Sequence, residues 1–197
     1  MDEEWRSLTE RVRQESGGTA AYRRLAARED VEGAEDAEEL AEVLMAPGQP
    51  LWARELAAFR LGLAGDRRAF ESLVLLLNHR DPPRCASAAH ALARLGDPRT
   101  ARAAAALATN ELRVAYALHP VRLLVELRAP ESAPALITAL QRRLRPHDPY
   151  RRVALACVDG LGALGDARAR TVLSEALAHP ALAEAAVRAL GRLPRQR

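Results

Sequence analysis

Residues 84–97 have the sequence RCASAAHALARLGD, and this stretch decides the fold. Alanine and leucine recur at helical spacing as far as Leu95, and Gly96 and Asp97 follow directly. Glycine suits the left-handed backbone position that ends a helix, and aspartate is a preferred residue at the start of the next one. The stretch therefore predicts a first helix over 84–95, a glycine C-cap, and a second helix that Asp97 opens.

The same pattern recurs along the chain, with one degenerate copy in the middle. The equivalent leucines of the five copies are Leu61, Leu92, Leu124, Leu161 and Leu190. Their spacings are 31, 32, 37 and 29 residues, and the longest spacing contains a predicted loop insertion over 142–149. One hairpin of about 30 residues cannot bury its own apolar faces, whereas stacked hairpins can. We therefore predict an all-α fold, a right-handed α-solenoid of four to five helical hairpins.

The composition favours helices and excludes several classes of protein. Ala (42), Leu (31) and Arg (29) make up more than half of the 197 residues, and lysine is absent. Ala and Leu are strong helix formers, and residues that favour strands are scarce, which argues against all-β and Rossmann-type folds. Because the apolar runs are too short for a bilayer and the two cysteines form no CxxC pair, we predict a cytoplasmic protein without a membrane segment.

The charge of the chain changes sign near residue 50. Residues 1–50 contain 6 arginines and 13 acids, whereas residues 51–197 contain 23 arginines and 13 acids. The change coincides with the helix-breaking sequence Pro47-Gly48-Gln49-Pro50. We predict an acidic segment over 1–50, made of three short helices, that caps a repeat solenoid over 51–197. For its most acidic stretch, residues 29–42, the alternative is an autoinhibitory contact with the basic remainder.

The three N-terminal helices are predicted from apolar spacing and breakers. The first covers about residues 2–15 and ends at Gly17-Gly18. Thr19 is the predicted N-cap of the second, which continues to about Glu29, and the third covers about residues 34–46.

The recurring pattern Arg-x-x-Ala-x-x-Ala-Leu-x-x-Leu-Gly-Asp resembles short bacterial HEAT-like repeats, the type named after phycobilisome bilin lyases. The better match consists of Arg84, Ala88, Ala91, Leu92, Leu95, Gly96 and Asp97. The second match consists of Arg152, Leu161, Leu164, Gly165 and Asp166. The resemblance covers roughly residues 51–193 and implies a helical-repeat fold. The family includes bilin-attachment subunits and adaptors, so the resemblance leaves the function open.

The sequence contains no convincing catalytic or metal-binding motif. Asp66, Asp97 and Asp166 occupy the same repeat position, and we expect them to be structural helix caps. The histidine spacings match no metal motif, and four of the five histidines lie near proline at expected helix ends. We therefore predict a non-enzymatic protein with no metal and no cofactor.

Arginine recurs two residues after each cap, at Arg68, Arg99 and Arg168, with Arg102 and Arg170 nearby. Stacked repeats would align these five side chains along one edge, which we call the arginine ridge. The helix dipole does not favour cations at helix N-termini. Three explanations stand: an ion-pair ladder to acids of the neighbouring repeat, an acidic protein partner, or a nucleic acid.

The preferred hypothesis for function is a protein-interaction scaffold or adaptor that uses a curved helical surface and the arginine ridge. The first alternative is nucleic-acid binding, since some DNA glycosylases are also built from HEAT-like repeats. The second alternative is a bilin-lyase-like or chaperone subunit, which the resemblance alone suggests.

Overall fold

The structure is a computed structural model that describes residues 3–145 and 147–194. Over these ranges the chain forms twelve α-helices and three short 3-10 segments, and it contains no strand. The predicted all-α fold of helical hairpins is thereby confirmed. Within the same ranges no helix has both the length and the apolar character needed to cross a membrane.

The chain divides into two compact units, Met1–Thr100 and Ala101–Arg197. The division differs from the predicted boundary at 50/51, which separates segments by charge and by repeat character. The helices of the first unit are α1 (Glu3–Ser16), α2 (Ala20–Leu25), α3 (Gly33–Met45), α4 (Leu51–Leu63), α5 (Phe70–Leu77) and α6 (Pro82–Leu95). The helices assigned to the second are α7 (Thr100–Ala108), α8 (Leu118–Leu127), α9 (Ser132–Arg143), α10 (Arg151–Leu164), α11 (Arg170–Ala176) and α12 (Ala183–Arg192).

Local sequence signals set the ends of the N-terminal helices. Gly17 and Gly18 follow α1 with φ of 63° and 65°, and the hydroxyl of Thr19 accepts a hydrogen bond from the Tyr22 N–H at the start of α2. Helix α2 ends at Leu25, four residues before the predicted end. The chain turns there, and the Asp30 carbonyl accepts a hydrogen bond of 2.7 Å from the buried Arg60.

Helix α3 carries acidic residues on one side and packs against α4. Its buried residues are Leu40, Ala41, Val43 and Leu44. Three of its acids form ion pairs with arginines of the first unit: Asp36 with Arg60, Glu38 with Arg68, and Glu39 with Arg24. The most acidic part of the sequence is therefore folded onto basic side chains of its own unit.

Each of the first four repeats has a left-handed residue at the end of its first helix. Gly96 and Gly165 end α6 and α10 with φ of 65° and 70°. In the degenerate third repeat Arg128 takes this position after α8, with φ of 49°. Its guanidinium donates to the Ala163 carbonyl at 3.1 Å, near the end of the next first helix. The third repeat therefore keeps the cap geometry although it lacks the glycine.

The first helices pack closely because small residues face each other at fixed repeat positions. The residue after the equivalent leucine of one repeat contacts the residue before the equivalent leucine of another. Gly62 faces Ala91 in the first unit, and Gly162 faces Ala189 in the second. Between α8 and α10 the glycine is on the other partner, since Gly160 faces Val125. A Cβ atom at any of these glycines would lie within 3 Å of a neighbouring atom, so the close approach requires glycine.

Candidate protein-binding surfaces

The three predicted cap aspartates lie at the starts of the second-helix segments. In each case Oδ1 accepts the backbone N–H two residues later, at 3.0 Å for Asp66, 2.8 Å for Asp97 and 2.9 Å for Asp166. The side chain of that later residue is an arginine, and its guanidinium donates back to the same carboxylate. Asp-x-Arg is therefore a closed unit, which explains how a cation is accommodated at a helix N-terminus.

Two of these arginines also bind an acid outside their own repeat, which is Glu38 of α3 in the N-terminal segment for Arg68 and Glu71 of α5 in the preceding repeat for Arg99. Arg68 pairs with Glu38 at 2.7 Å, and Arg99 pairs with Glu71 at 3.2 Å. The Arg99 guanidinium also lies 3.9 Å above the Phe70 ring. Both side chains are thus engaged within the first unit, as an ion-pair ladder requires.

Arg168 lacks the second partner, and its only ion pair among the described residues is with Asp166. The acid position that Glu71 fills in its own repeat corresponds to Pro134 in the repeat before Arg168. The side chain of Arg168 is 63% exposed, against 46% for Arg68 and 55% for Arg99. Of the three, Arg168 has the most capacity for an external anion.

The remaining two ridge residues differ from each other. Arg102 is exposed on α7 and has no ion pair within the described part of the chain. Arg170 is half-buried and donates to the Pro194 carbonyl at 2.6 Å. The five side chains of the arginine ridge therefore differ in their exposure and in their bonds to the rest of the chain. Partner binding by these residues stays a prediction.

The Asp-x-Arg units make a prediction about pH. The hydrogen bond from Arg99 lowers the pKa of Asp97, so the folded state holds this carboxylate ionised more strongly than the unfolded state does. The resulting stability is complete above the unfolded pKa of about 4 and is lost as pH falls through the lower folded pKa. We expect Asp97→Asn, which retains a capping oxygen, to be less stable than wild type at pH 7 and to approach it on acidification. Urea unfolding at pH 7, 4 and 3 measures this, and a constant difference across that range would refute it.

A buried ion cluster joins α1, α4 and α6 in the first unit. The Glu55 carboxylate is 1% exposed and accepts hydrogen bonds from Arg11 at 2.5 Å, from Arg84, and from the Ser87 hydroxyl at 3.1 Å. Arg84 also pairs with Glu15 at 2.5 Å. Burial is the largest single effect and acts to lower the pKa of Arg11, but the hydrogen bond and charge of Glu55 together with the charges of Glu15 and Asp81 outweigh it, and the pKa is raised. The cluster holds α1 against α4 and α6, which are the first helices of two successive repeats.

Aromatic packing lies beside this cluster. The Trp5 ring of α1 stacks on Phe59 of α4 with centroids 5.8 Å apart, and Phe59 stacks on His90 of α6 at 5.7 Å. In the first unit, α1 therefore covers a face that two successive first helices present together.

In the second unit, the first helices α8, α10 and α12 form a groove of about 470 Å³. Its floor is small or aliphatic, and charged side chains surround it. The lining residues are Leu118, Arg122, Val125, Arg152, Leu155, Ala156, Asp159, Gly160, Ala163 and Arg192. Its three arginines are exposed, and within the described ranges none of them forms an ion pair.

The histidines and cysteines have structural surroundings. His79 and His179 follow the C-terminal ends of α5 and α11. His119 lies in the first turn of α8, so it is also at a helix end, but at the N-terminal one. Burial lowers the pKa of His119, and Arg122 and Arg152 lower it further. Both cysteines are buried, and burial raises the pKa of Cys157 to about 12. Over the described residues no cluster of three metal-ligating side chains is found.

A family model described as PBS lyase HEAT-like repeat matches residues 153–179. This match supports a HEAT-like repeat protein. The matched range contains most of α10, the Asp166 turn and α11, which form one complete hairpin. HEAT-like repeats generally mediate protein–protein interactions. No curated protein matches the chain.

Sequence reasoning identified the caps and the ridge but missed the buried cluster and the groove. The Asp-x-Arg spacing was a visible signal for the closed caps. Glu55 had no comparable signal, since its partners Arg11 and Arg84 lie 44 and 29 residues away. The groove becomes visible only when the repeat register is compared between the two units.

Proposed function

We propose that this HEAT-like repeat protein is a non-enzymatic scaffold or adaptor that binds a protein partner in the groove of the second unit. The observation that carries the proposal is the group Arg122, Arg152 and Arg192, exposed around an apolar floor and without ion pairs among the described residues. Elsewhere in the chain, arginines such as Arg60, Arg84 and Arg99 are bound by acids of their own unit.

The mixture of surfaces supports a protein as the partner. Leu118, Val125 and Leu155 are only half-buried, and covering them would remove apolar area from water. The surrounding arginines can add orientation and selectivity through charge complementarity. An apolar centre with a charged rim is the usual anatomy of a protein interface.

The arginine ridge contributes to the proposal in a reduced form. Arg168 and Arg102 retain the capacity to contact an acidic partner, whereas Arg68 and Arg99 are engaged inside the first unit. We also propose a reducing, cytoplasmic environment, which the two buried cysteines, not joined in a disulfide, support.

Photo-crosslinking tests the proposed function. A benzophenone amino acid replaces Leu155 in the groove, or Leu75 on α5, which is 73% exposed and serves as the matched apolar control. In extract of the source cells we expect a discrete protein adduct from position 155, absent from position 75 and lost when Arg122→Glu and Arg152→Glu are added. Equal adducts from both positions, or none from 155, would contradict the proposal.

Nucleic-acid binding is the second candidate because the groove arginines could contact phosphates. Against it, the groove lining contains no aromatic side chain on which a base could stack. Fluorescence anisotropy with a labelled 20-nucleotide single strand and a duplex, at low and physiological salt, separates the two. Salt-sensitive binding that depends on Arg122 and Arg152 would favour nucleic acid over protein. Nothing in the described residues favours the lyase-like alternative.

A further inference from the structure

We propose that the groove of the second unit binds an acidic amphipathic α-helix of a partner protein. This inference rests on the proposed protein-binding function and specifies the chemistry of the partner. It follows from a comparison of equivalent repeat positions in the two units, one covered by a helix and the other open.

Helix α1 shows how a helix can pack on the face that the first helices of two successive repeats form. It lies against α4 and α6 and buries Trp5, Leu8, Val12 and Ser16, a stripe that recurs every three or four residues. Apolar contacts to Phe59 and ion pairs to Glu55 and Arg84 hold it there. Amphipathic helices bind grooves through anchors with this spacing.

Counted from the equivalent leucines, the groove of the second unit lies at the same repeat positions as the face of the first unit that α1 covers. Two residues before those leucines, α4 and α6 of the first unit have Phe59 and His90, and α8 and α10 of the second unit have Arg122 and Asp159. All four belong to the surface just described: the aromatic pair lies under or beside α1, and the charged pair lines the groove. The two faces are therefore equivalent in position.

The two faces differ in the placement of polar groups. Six residues before the equivalent leucines, α4 has Glu55, which receives Arg11 of α1, and α6 has Ala86. In the second unit, α8 and α10 have Leu118 and Leu155, which line the groove, and α12 has the exposed Glu184, which does not line it. The second unit thus has aliphatic contacts where the first has a buried acid, and charges where the first has aromatic rings. A helix for this groove needs apolar anchors at the leucines and charged residues at the level of Arg122.

The sign of those charges follows from the rim. Arg122, Arg152 and Arg192 come from three different helices, and Asp159 is the one acid in the lining. The positive charge of the rim also acts on His119. Burial lowers the pKa of His119, and the charges of Arg122 and Arg152 lower it further. A complementary helix is therefore acidic. Helix α1 of a second copy fits poorly, since its Arg11 would meet Leu118 or Leu155 at the repeat position where its own unit has Glu55.

Peptide titration of the full chain tests the inference. Two acetylated 16-residue peptides share a leucine stripe at helical spacing and carry either glutamate or lysine at the flanking positions. By isothermal titration calorimetry at low salt, we expect the glutamate peptide to bind at least about tenfold more tightly than the lysine peptide, because like charges across an interface are strongly unfavourable. Leu155→Glu, or Arg122→Glu with Arg152→Glu, is expected to remove that binding.

A matched control has the same change in net charge away from the groove. Arg6→Glu with Arg23→Glu alters two exposed arginines of the first unit and should bind the glutamate peptide normally. Circular dichroism establishes that every variant is folded. Equal binding of both peptides, no binding of the glutamate peptide, or equal loss in the control would overturn the inference.

The outcomes separate this inference from the proposed function. An adduct at position 155 without binding of the glutamate peptide keeps a protein-binding groove but refutes the acidic helix. Absence of both refutes both. Sedimentation velocity gives a further contradiction, since a dimer that Leu155→Glu disrupts would make a second copy of the chain the occupant. Tighter binding of a single-stranded oligonucleotide, with the same arginine dependence, would likewise overturn the acidic helix.

Discussion

Replacement of Glu55 by alanine is expected to lower the free energy of unfolding by about 3 kcal/mol, because it leaves buried cations without their counterion. Glu55 is 1% exposed and Arg84 is 7% exposed, so water cannot easily take the place of the lost carboxylate. Arg11 and Ser87 lose their hydrogen bonds to the same group. Urea unfolding followed by circular dichroism measures the change.

A surface ion pair within α1 provides the control. Glu10 pairs with Arg13 at 2.9 Å, but both side chains are more than half exposed. Glu10→Ala is therefore expected to leave the urea midpoint unchanged. If Glu55→Ala were equally silent, the cluster would not hold α1 on α4 and α6.

The Gly162→Ala substitution is expected to destabilise the chain by about 2 kcal/mol through overpacking. A Cβ atom at position 162 would lie 2.8 Å from both Cα and Cβ of Ala189. One of these atoms is backbone, so relief requires α10 and α12 to move apart. The thermal midpoint and urea unfolding both report the effect.

Gly191 in α12 is the matched glycine for comparison. A Cβ atom there has no neighbour within 4 Å, and the residue is helical and exposed. Gly191→Ala is expected to leave stability unchanged or to raise it by up to about 1 kcal/mol, since alanine is the better helix former. Similar losses from both substitutions would show that the helix spacing does not depend on glycine.

Local features of the repeats were predictable from the sequence because their causes are local. The Gly96 cap, the Asp97 turn and a first helix that ends at Leu95 follow from residue preferences at fixed spacing, and the structure has all three. The helix α2 prediction was too long because the bond from Arg60 to the Asp30 carbonyl is a contact between distant residues.

The candidate site was harder to predict from the sequence, because it depends on which helix face is covered by another helix. Arginine at positions 68 and 99 was visible as a recurring charge, but its engagement by Glu38 and Glu71 requires the stacking of repeats. Likewise, Phe59 and Arg122 hold the same repeat position, and only the structure shows that α1 packs on the former. Periodicity locates a surface, while tertiary packing decides whether it is open.

The most direct test of the account is a map of backbone amide chemical shifts of the full chain on addition of the glutamate peptide. The account predicts that shifts concentrate in α8, α10 and α12, around Arg122, Leu155 and Arg192. Shifts centred on the arginine ridge at Arg68, Arg99 and Arg168, with the groove unaffected, would contradict it.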